Sequence, residues 1–175
     1  MPETCELPRF EETVLPHLDA AYNLAHWLTG DDHDAEDVVQ EAYFRAFKFF
    51  SGFRGGDGRA WLLTVVRHTC YTWLQRHRGR ETVAPFDEEL HSGAGDELNP
   101  ERIALQRADR QMLRAAVEAL PLEFREVLVL REMEGLSYQE IAVLIGIPIG
   151  TVMSRLSRAR RQLQVRLAPF MGEEA

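Results

Sequence analysis

At 175 residues and 20.1 kDa, the chain is long enough for one ordinary domain or two small ones and too short for a large enclosed catalytic site. It has no run of eighteen apolar residues and no basic-then-apolar leader, so a cytoplasmic protein without membrane insertion is expected. Its net charge of -8 would repel a polyanion if it were evenly spread, but it is not. Lys+Arg against Asp+Glu runs 3 to 11 over residues 1–50, 6 to 1 over 51–80, 1 to 7 over 81–106, 5 to 6 over 107–134 and 5 to 1 over 135–168. Two basic blocks separated by acidic ones suit two separate contacts with a polyanion. Cys5 and Cys70 lie far apart without a CxxC partner and read as free thiols.

In chain order, apolar residues recur at helical spacing over 10–27: Val14, Leu18, Ala21, Leu24 and Ala25, with the run stopping near Gly30. Next comes DDHDAEDVVQEAYF, with five acids and one His within seven residues. A metal site, a helix cap and a partner surface compete for it. The run lacks an EF-hand's alternating ligands and glycine, so neither a metal nor a cofactor is expected. Asp34 is the expected N-cap, and acids in the first turn complement the helix dipole. Asp37, Gln40 and Glu41 then stay on the polar side, opposite a stripe of Ala35, Val38, Val39, Ala42, Ala46, Phe49 and Phe50.

A Gly-rich loop, FRGGDGR, leads into a third helix over 60–78 that closes a three-helix bundle. Here Phe53, Trp61, His68, Tyr71 and Trp73 interleave with Arg54, Arg59, Arg67, Arg76 and Arg78. Duplex DNA offers no exposed base faces, so aromatics beside arginines suit unpaired bases. Several of these aromatics must fill the bundle's core. Phe53 and Trp61 are expected to face nucleic acid, while Tyr71 and Trp73 fit either role.

Periodicity fails over 79–100, where Pro85 and HSGAGDELNP sit among acids. The expected organisation is all-α: a helical domain of residues 1–79, an acidic extended linker 80–104 and a helical domain 105–175. The second domain should hold helices over 105–120 and 121–133, with Pro121 in a first turn. Ser137-Tyr138-Gln139-Glu140 is a capping box opening a short helix over 138–145. Gly146 permits a left-handed C-terminal residue, and Pro148 can open the next helix. Short helix, tight turn and longer basic helix make a helix-turn-helix. In its second helix Val152, Leu156, Ala159, Leu163 and Leu167 form the inner stripe, leaving Gly150, Thr151, Ser154, Ser157, Arg158 and Arg161 opposite, flanked by Arg155. Small residues allow close approach to a major groove, and arginines reach guanine edges or phosphates.

DAEDVVQEAYFRAF, FRG, AWLLTVVRH and LPLEFREVLVLREMEGLSYQEIAVLIGIPIGTVMSRLSRARRQL resemble, in order, regions two and four of bacterial extracytoplasmic-function (ECF) sigma factors, over residues 10–167. The resemblance implies a non-enzymatic initiation subunit that binds core RNA polymerase, places it at a promoter and helps open the duplex. It implies that the helix of residues 34–47 docks on the β′ clamp helices through Asp37, Gln40 and Glu41, with further contacts to the β subunit. Phe53, Arg54, Trp61, His68 and Arg76 would recognise the minus-ten element. Thr151, Ser154, Arg155, Arg158 and Arg161 would read the minus-thirty-five element. The acidic linker would thread the polymerase toward its active centre. An anti-sigma protein is a further expected kind of partner, and the free chain is expected to be a monomer.

Three departures stand out: His68 replaces a frequent Asn, the FRGGDGR loop is one residue shorter than the common form, and Met153 stands where the GTV motif is usually followed by Lys or Arg. Two other readings compete. A helix-turn-helix regulator acting without core polymerase would bind duplex operators alone, and a polymerase decoy would dock but leave promoters closed. An enzyme is the least expected class, since no Walker loop appears and no nucleophile, base and orienting acid recur together.

Overall fold

A computed structural model of the chain describes residues 6–77 and 99–172, and every regular element among them is helical. Residues 80–98 of the expected extended linker lie outside the described residues, as does Cys5, while residues 99–104 are not extended but cap and open a helix. The first apolar run is two helices, α1 (Glu6–Val14) and α2 (Leu18–Thr29), separated by a 3-10 turn at Leu15–His17. Pro16 causes the break, since proline supplies no amide hydrogen and clashes with the preceding turn.

Helix α3 (Asp32–Phe49) is capped by Asp31, not by Asp34 as expected. Asp31 has the extended backbone a cap needs (φ -141, ψ 139), and its side chain accepts from the Asp34 amide at 3.0 Å. Asp34 is already inside the first turn. The α3 stripe buries Ala35, Val38, Ala42 and Ala46, but Phe49 is 61% exposed while Phe50 is buried. Successive helical residues point about 100° apart, so only one of that pair reaches the core. Phe50 packs edge-on against Phe10, which also meets Tyr43 and Phe47, each with ring centroids 5.2 Å apart.

Helix α4 (Gly58–Arg76) starts where Asp57 accepts from the amides of Arg59 and Ala60. A Cβ on Gly58 would lie 2.6 Å from Thr13 Cγ2 and 3.0 Å from the Thr13 carbonyl oxygen. The missing side chain is what lets the FRGGDGR loop sit against α1.

Helix α5 (Pro100–Glu118) begins five residues before the expected Leu105, with Asn99 as its cap and Pro100 in its first turn. Helix α6 (Leu122–Leu128) has Pro121 just outside it as N-cap and runs into a π-helical turn at Val129–Met133. The capping box of α7 (Tyr138–Ile145) is complete, with Glu140 N to Ser137 Oγ at 3.1 Å and Ser137 N to Glu140 Oε2 at 2.7 Å. Gly146 is left-handed at φ +79, and α8 (Ile149–Met171) leaves α7 at 106° with Pro148 as its cap. That angle is the helix-turn-helix crossing.

The sequence reading leaves open how the two helical units sit together. They pack directly: α2 meets α6, α4 meets α7, and one apolar cluster runs from Phe10, Leu24, Leu63 and Cys70 through Val127, Leu130, Ile141 and Val152. Among the described residues no single helix is long and apolar enough to cross a membrane.

Candidate nucleic-acid interface

The N-terminal acids divide by position. Asp31 caps α3, and Asp32 accepts from the Tyr22 hydroxyl at 3.3 Å. Burial, reinforced by the neighbouring Asp31 carboxylate, pushes the Asp34 carboxyl up from its ordinary value. Farther along α3, Asp37 and Gln40 are exposed and Glu41 is half-buried. Glu41 pairs with Arg45 at 2.6 Å and approaches Arg76 at 4.0 Å, so part of its charge is spent tying α3 to α4. Phe44 is 70% exposed. The spacing 37, 40, 41, 44 places it on the same outward face. Sequence reasoning missed it, although an aromatic out of phase with the apolar stripe was the available signal. Among the described residues no cluster of three or more His, Cys, Asp or Glu could hold a metal ion.

Phe53 and Trp61 are half-buried and in contact with each other, centroids 5.2 Å apart, and both touch Phe50. Each gives one side to the core and keeps an exposed remainder. Arg54, His68 and Arg76 are exposed, and Trp61 and His68, seven residues apart, share a side of α4. Trp73 stacks on His77 at 3.9 Å.

Arg59, Arg67 and Tyr71 of this strip face the second unit instead, and Arg78 lies outside the described residues. Arg67 pairs with Glu126 through Nε, with Nη2 at 3.5 Å, and Tyr71 Oη donates to Glu126 Oε2 at 2.9 Å. Glu126 is fully buried. Arg59 pairs with Glu134 at 2.8 Å and also donates to its carbonyl oxygen, while Asn23 donates to Glu134 Oε1 at 2.8 Å. Burial and the Glu126 charge raise the Tyr71 hydroxyl and push the Cys70 thiol up to about 12. Arg125 donates to the Trp27 carbonyl at 3.0 Å, adding a cation near the C-terminal end of α2, where the helix dipole favours one.

On α8 the inner stripe of Val152, Leu156 and Ala159 is buried against α6 and α7. Ser154, Ser157, Arg158 and Arg161 are exposed and Thr151 is half-buried. Arg155 leans back to Glu123 at 3.4 Å, and Arg160 pairs with Glu132 at 2.6 Å. No ion pair is recorded for Arg158 or Arg161 among the described residues, which leaves two cations aimed outward beside the two serines. At the start of the helix Ile149 is 44% and Met153 52% exposed, so its entry edge is apolar.

Residues 13–80 match the family described as Sigma-70 region 2, and residues 110–163 match Sigma-70, region 4. The chain is 37% identical over 169 residues to the ECF RNA polymerase sigma factor SigE of Mycolicibacterium smegmatis, covering 97% of this chain but 65% of that relative. It is 34% identical over 145 residues to the ECF RNA polymerase sigma-E factor of Escherichia coli K12, covering 79% and 76% of the two chains. In structure it is similar to the sigma factor RpoE of Bartonella quintana, solved with the anti-sigma factor NepR, with a TM-score of 0.71 and 30% identity over 91% of this chain and 97% of that one. It is also similar to CnrH, solved with the cytosolic domain of CnrY, with a TM-score of 0.63 and 25% identity over 91% and 88%.

Proposed function

Because the chain belongs to the ECF RNA polymerase sigma factors of the sigma-70 family, we propose that it binds core RNA polymerase, directs it to specific promoters and assists duplex opening, without catalysing a reaction itself. The carrying observation is one chain that joins two surfaces: the outward acidic face of α3 and a capped helix-turn-helix whose α8 exposes Ser154, Ser157, Arg158 and Arg161. A regulator acting alone has no use for the first of these.

In this reading Asp37, Gln40 and Glu41 dock on the β′ clamp helices, and Phe44 adds an apolar contact beside them. Phe53, Arg54, Trp61, His68 and Arg76 meet the minus-ten element. The exposed remainders of Phe53 and Trp61 supply a stacking surface that offsets the few kcal/mol lost when a base leaves the duplex. Thr151, Ser154, Arg158 and Arg161 enter the major groove at the minus-thirty-five element, and Arg155 joins them by exchanging Glu123 for a phosphate. The domain boundaries, near residue 79 and at the cap of α5, follow the same division of labour. The similar sigma factor RpoE, solved with the anti-sigma factor NepR, favours a partner of that kind here as well.

The test is a titration of core RNA polymerase with the wild-type chain and with Asp37→Lys/Glu41→Lys, followed by transcription from a promoter pool. The proposal expects tight binding and promoter-dependent transcripts that the charge reversals abolish. Specific duplex binding by a chain that ignores core polymerase would replace it with the regulator reading.

A further inference from the structure

The seam between the two helical units holds a cleft whose lining includes none of the residues assigned above to polymerase or to DNA. Its volume is about 410 Å³, within the ~300–1,000 Å³ of small-molecule sites. The floor is Trp27 of α2 with Val117, Leu128 and Leu163 of the second unit, which pack as one small apolar cluster. Leu113 and Met133 also line it and are 47% and 44% exposed, so apolar surface is left against water at its mouth. Trp27 is held on two sides: its Nε1 donates to Asn23 Oδ1 at 3.1 Å, and its carbonyl oxygen accepts from Arg125 at 3.0 Å. This wall is formed before a ligand arrives, which lowers the ordering cost of binding.

Charge selects the class of ligand. Arg110 and Arg114 line the cleft one turn apart on α5. Arg114 pairs with Glu118 at 2.7 Å and reaches His26 at 2.8 Å, whereas Arg110 is exposed and has no ion pair among the described residues. The carboxylate in the lining, Glu132, is already matched by Arg160 at 2.6 Å. Burial and the Arg114 charge lower the His26 pKa from its ordinary value, so the imidazole adds no charge at neutral pH. Arg110 is left as the uncompensated charge of the lining. A guanidinium fork takes a carboxylate through two parallel hydrogen bonds, while tryptophan, leucine and methionine side chains cover an alkyl or aryl body.

We propose that this cleft binds a small amphipathic organic anion, a carboxylate on an alkyl or aryl body, with the carboxylate on Arg110 and the body against Trp27, Leu113 and Leu163. The site goes beyond the sigma reading and does not depend on it. His26 and Trp27 come from one unit and the rest of the lining from the other, so a ligand seated here binds only the packed pair and stabilises it by mass action.

The test is calorimetric titration of the full chain with decanoate and with 4-phenylbutyrate, beside decanol and decylamine as neutral and cationic twins of decanoate. Both carboxylates should bind at one site and raise the melting midpoint. They should also change the tryptophan fluorescence of the wild type but not that of Trp27→Phe. Decanol should bind about tenfold more weakly, the loss expected for one charge-assisted contact, and decylamine more weakly still. Arg110→Gln should lose the same factor, and Leu113→Glu, which sets a carboxylate at the mouth, should abolish binding. Both positions are exposed, and melts of these variants without ligand should match wild type. Absence of saturable binding by both carboxylates at about 1 mM, equal binding of decanoate and decylamine, or decanoate affinity unchanged in Arg110→Gln would overturn the proposal. Neither polymerase nor DNA enters the titration, so its failure leaves the sigma reading untouched.

Discussion

Arg67 and Glu126 meet 59 residues apart in sequence, a guanidinium on a carboxylate that is fully withdrawn from solvent between the two helical units. Tyr71 completes the carboxylate's partners, and the Arg67 guanidinium also lies 4.6 Å from the Tyr71 ring centroid. Such a pair adds little over an apolar contact of the same shape, but losing one member is costly because the other charge is stranded.

Glu126→Ala removes that member. The packing of the two helical units should lose about 3–5 kcal/mol, read as a lower urea midpoint by circular dichroism. Glu123→Ala, which removes an exposed partner of Arg155, should change the midpoint little, since exposed pairs contribute about 0–1 kcal/mol.

Met153 is 52% exposed on the entry edge of α8, the edge proposed to approach DNA. Met153→Arg should tighten binding to the minus-thirty-five duplex or shift its base preference, by about 1–3 kcal/mol of discrimination. Competition binding over a library of duplex sites measures it, and identical affinity and preference in both proteins would remove Met153 from the reading surface.

Two glycines should answer the same substitution with opposite signs. Gly58→Ala drives a methyl into the Thr13 side chain and carbonyl and should destabilise by about 1–3 kcal/mol. Gly150 has open space around its Cβ position, so Gly150→Ala should hold or raise stability, by up to about 1 kcal/mol from helix propensity. Thermal melts of the two variants compare them directly.

His26 lies at the seam, with Asp32 Oδ1 2.8 Å from its Nδ1, though without hydrogen-bond geometry, and Arg114 Nη2 2.8 Å from its Nε2. Burial, then the Arg114 charge, lowers its pKa below the ordinary 6.5, with Asp32 and Glu118 opposing. The unfolded chain therefore takes the proton first as pH falls. Its stabilising contribution is complete above pH 6.5 and is lost below it, as pH drops through the folded-state value. Asp34, shifted upward, acts in the opposite sense near its ordinary 3.8. Urea midpoints between pH 7.5 and about 5 should fall for wild type and run flatter for His26→Gln.

What could be read from the sequence follows the range of the interactions. The helix-turn-helix was legible because Ser137, Glu140, Gly146 and Pro148 act within a few residues of one another, and the structure shows the capping box and the left-handed glycine where they were expected. The α3 cap was misplaced by three residues because four Asp within 31–37 are equivalent acceptors until the backbone selects one. The start of α5 was hidden by its own exposure: without a buried face over 100–111 there is no apolar period to detect. The seam was not legible at all. Arg59, Arg67 and Tyr71 resemble DNA-facing residues in composition, and only the fold brings Glu126 and Glu134 onto them.

The most direct test of the central claim is permanganate reactivity of thymines in a promoter selected from the pool, measured with core polymerase alone, the chain alone and the two together. The account predicts reactive thymines around the minus-ten element only when both are present, and their loss with Asp37→Lys/Glu41→Lys. Protection of duplex by the chain alone, with no reactive thymines when core polymerase is added, would contradict it.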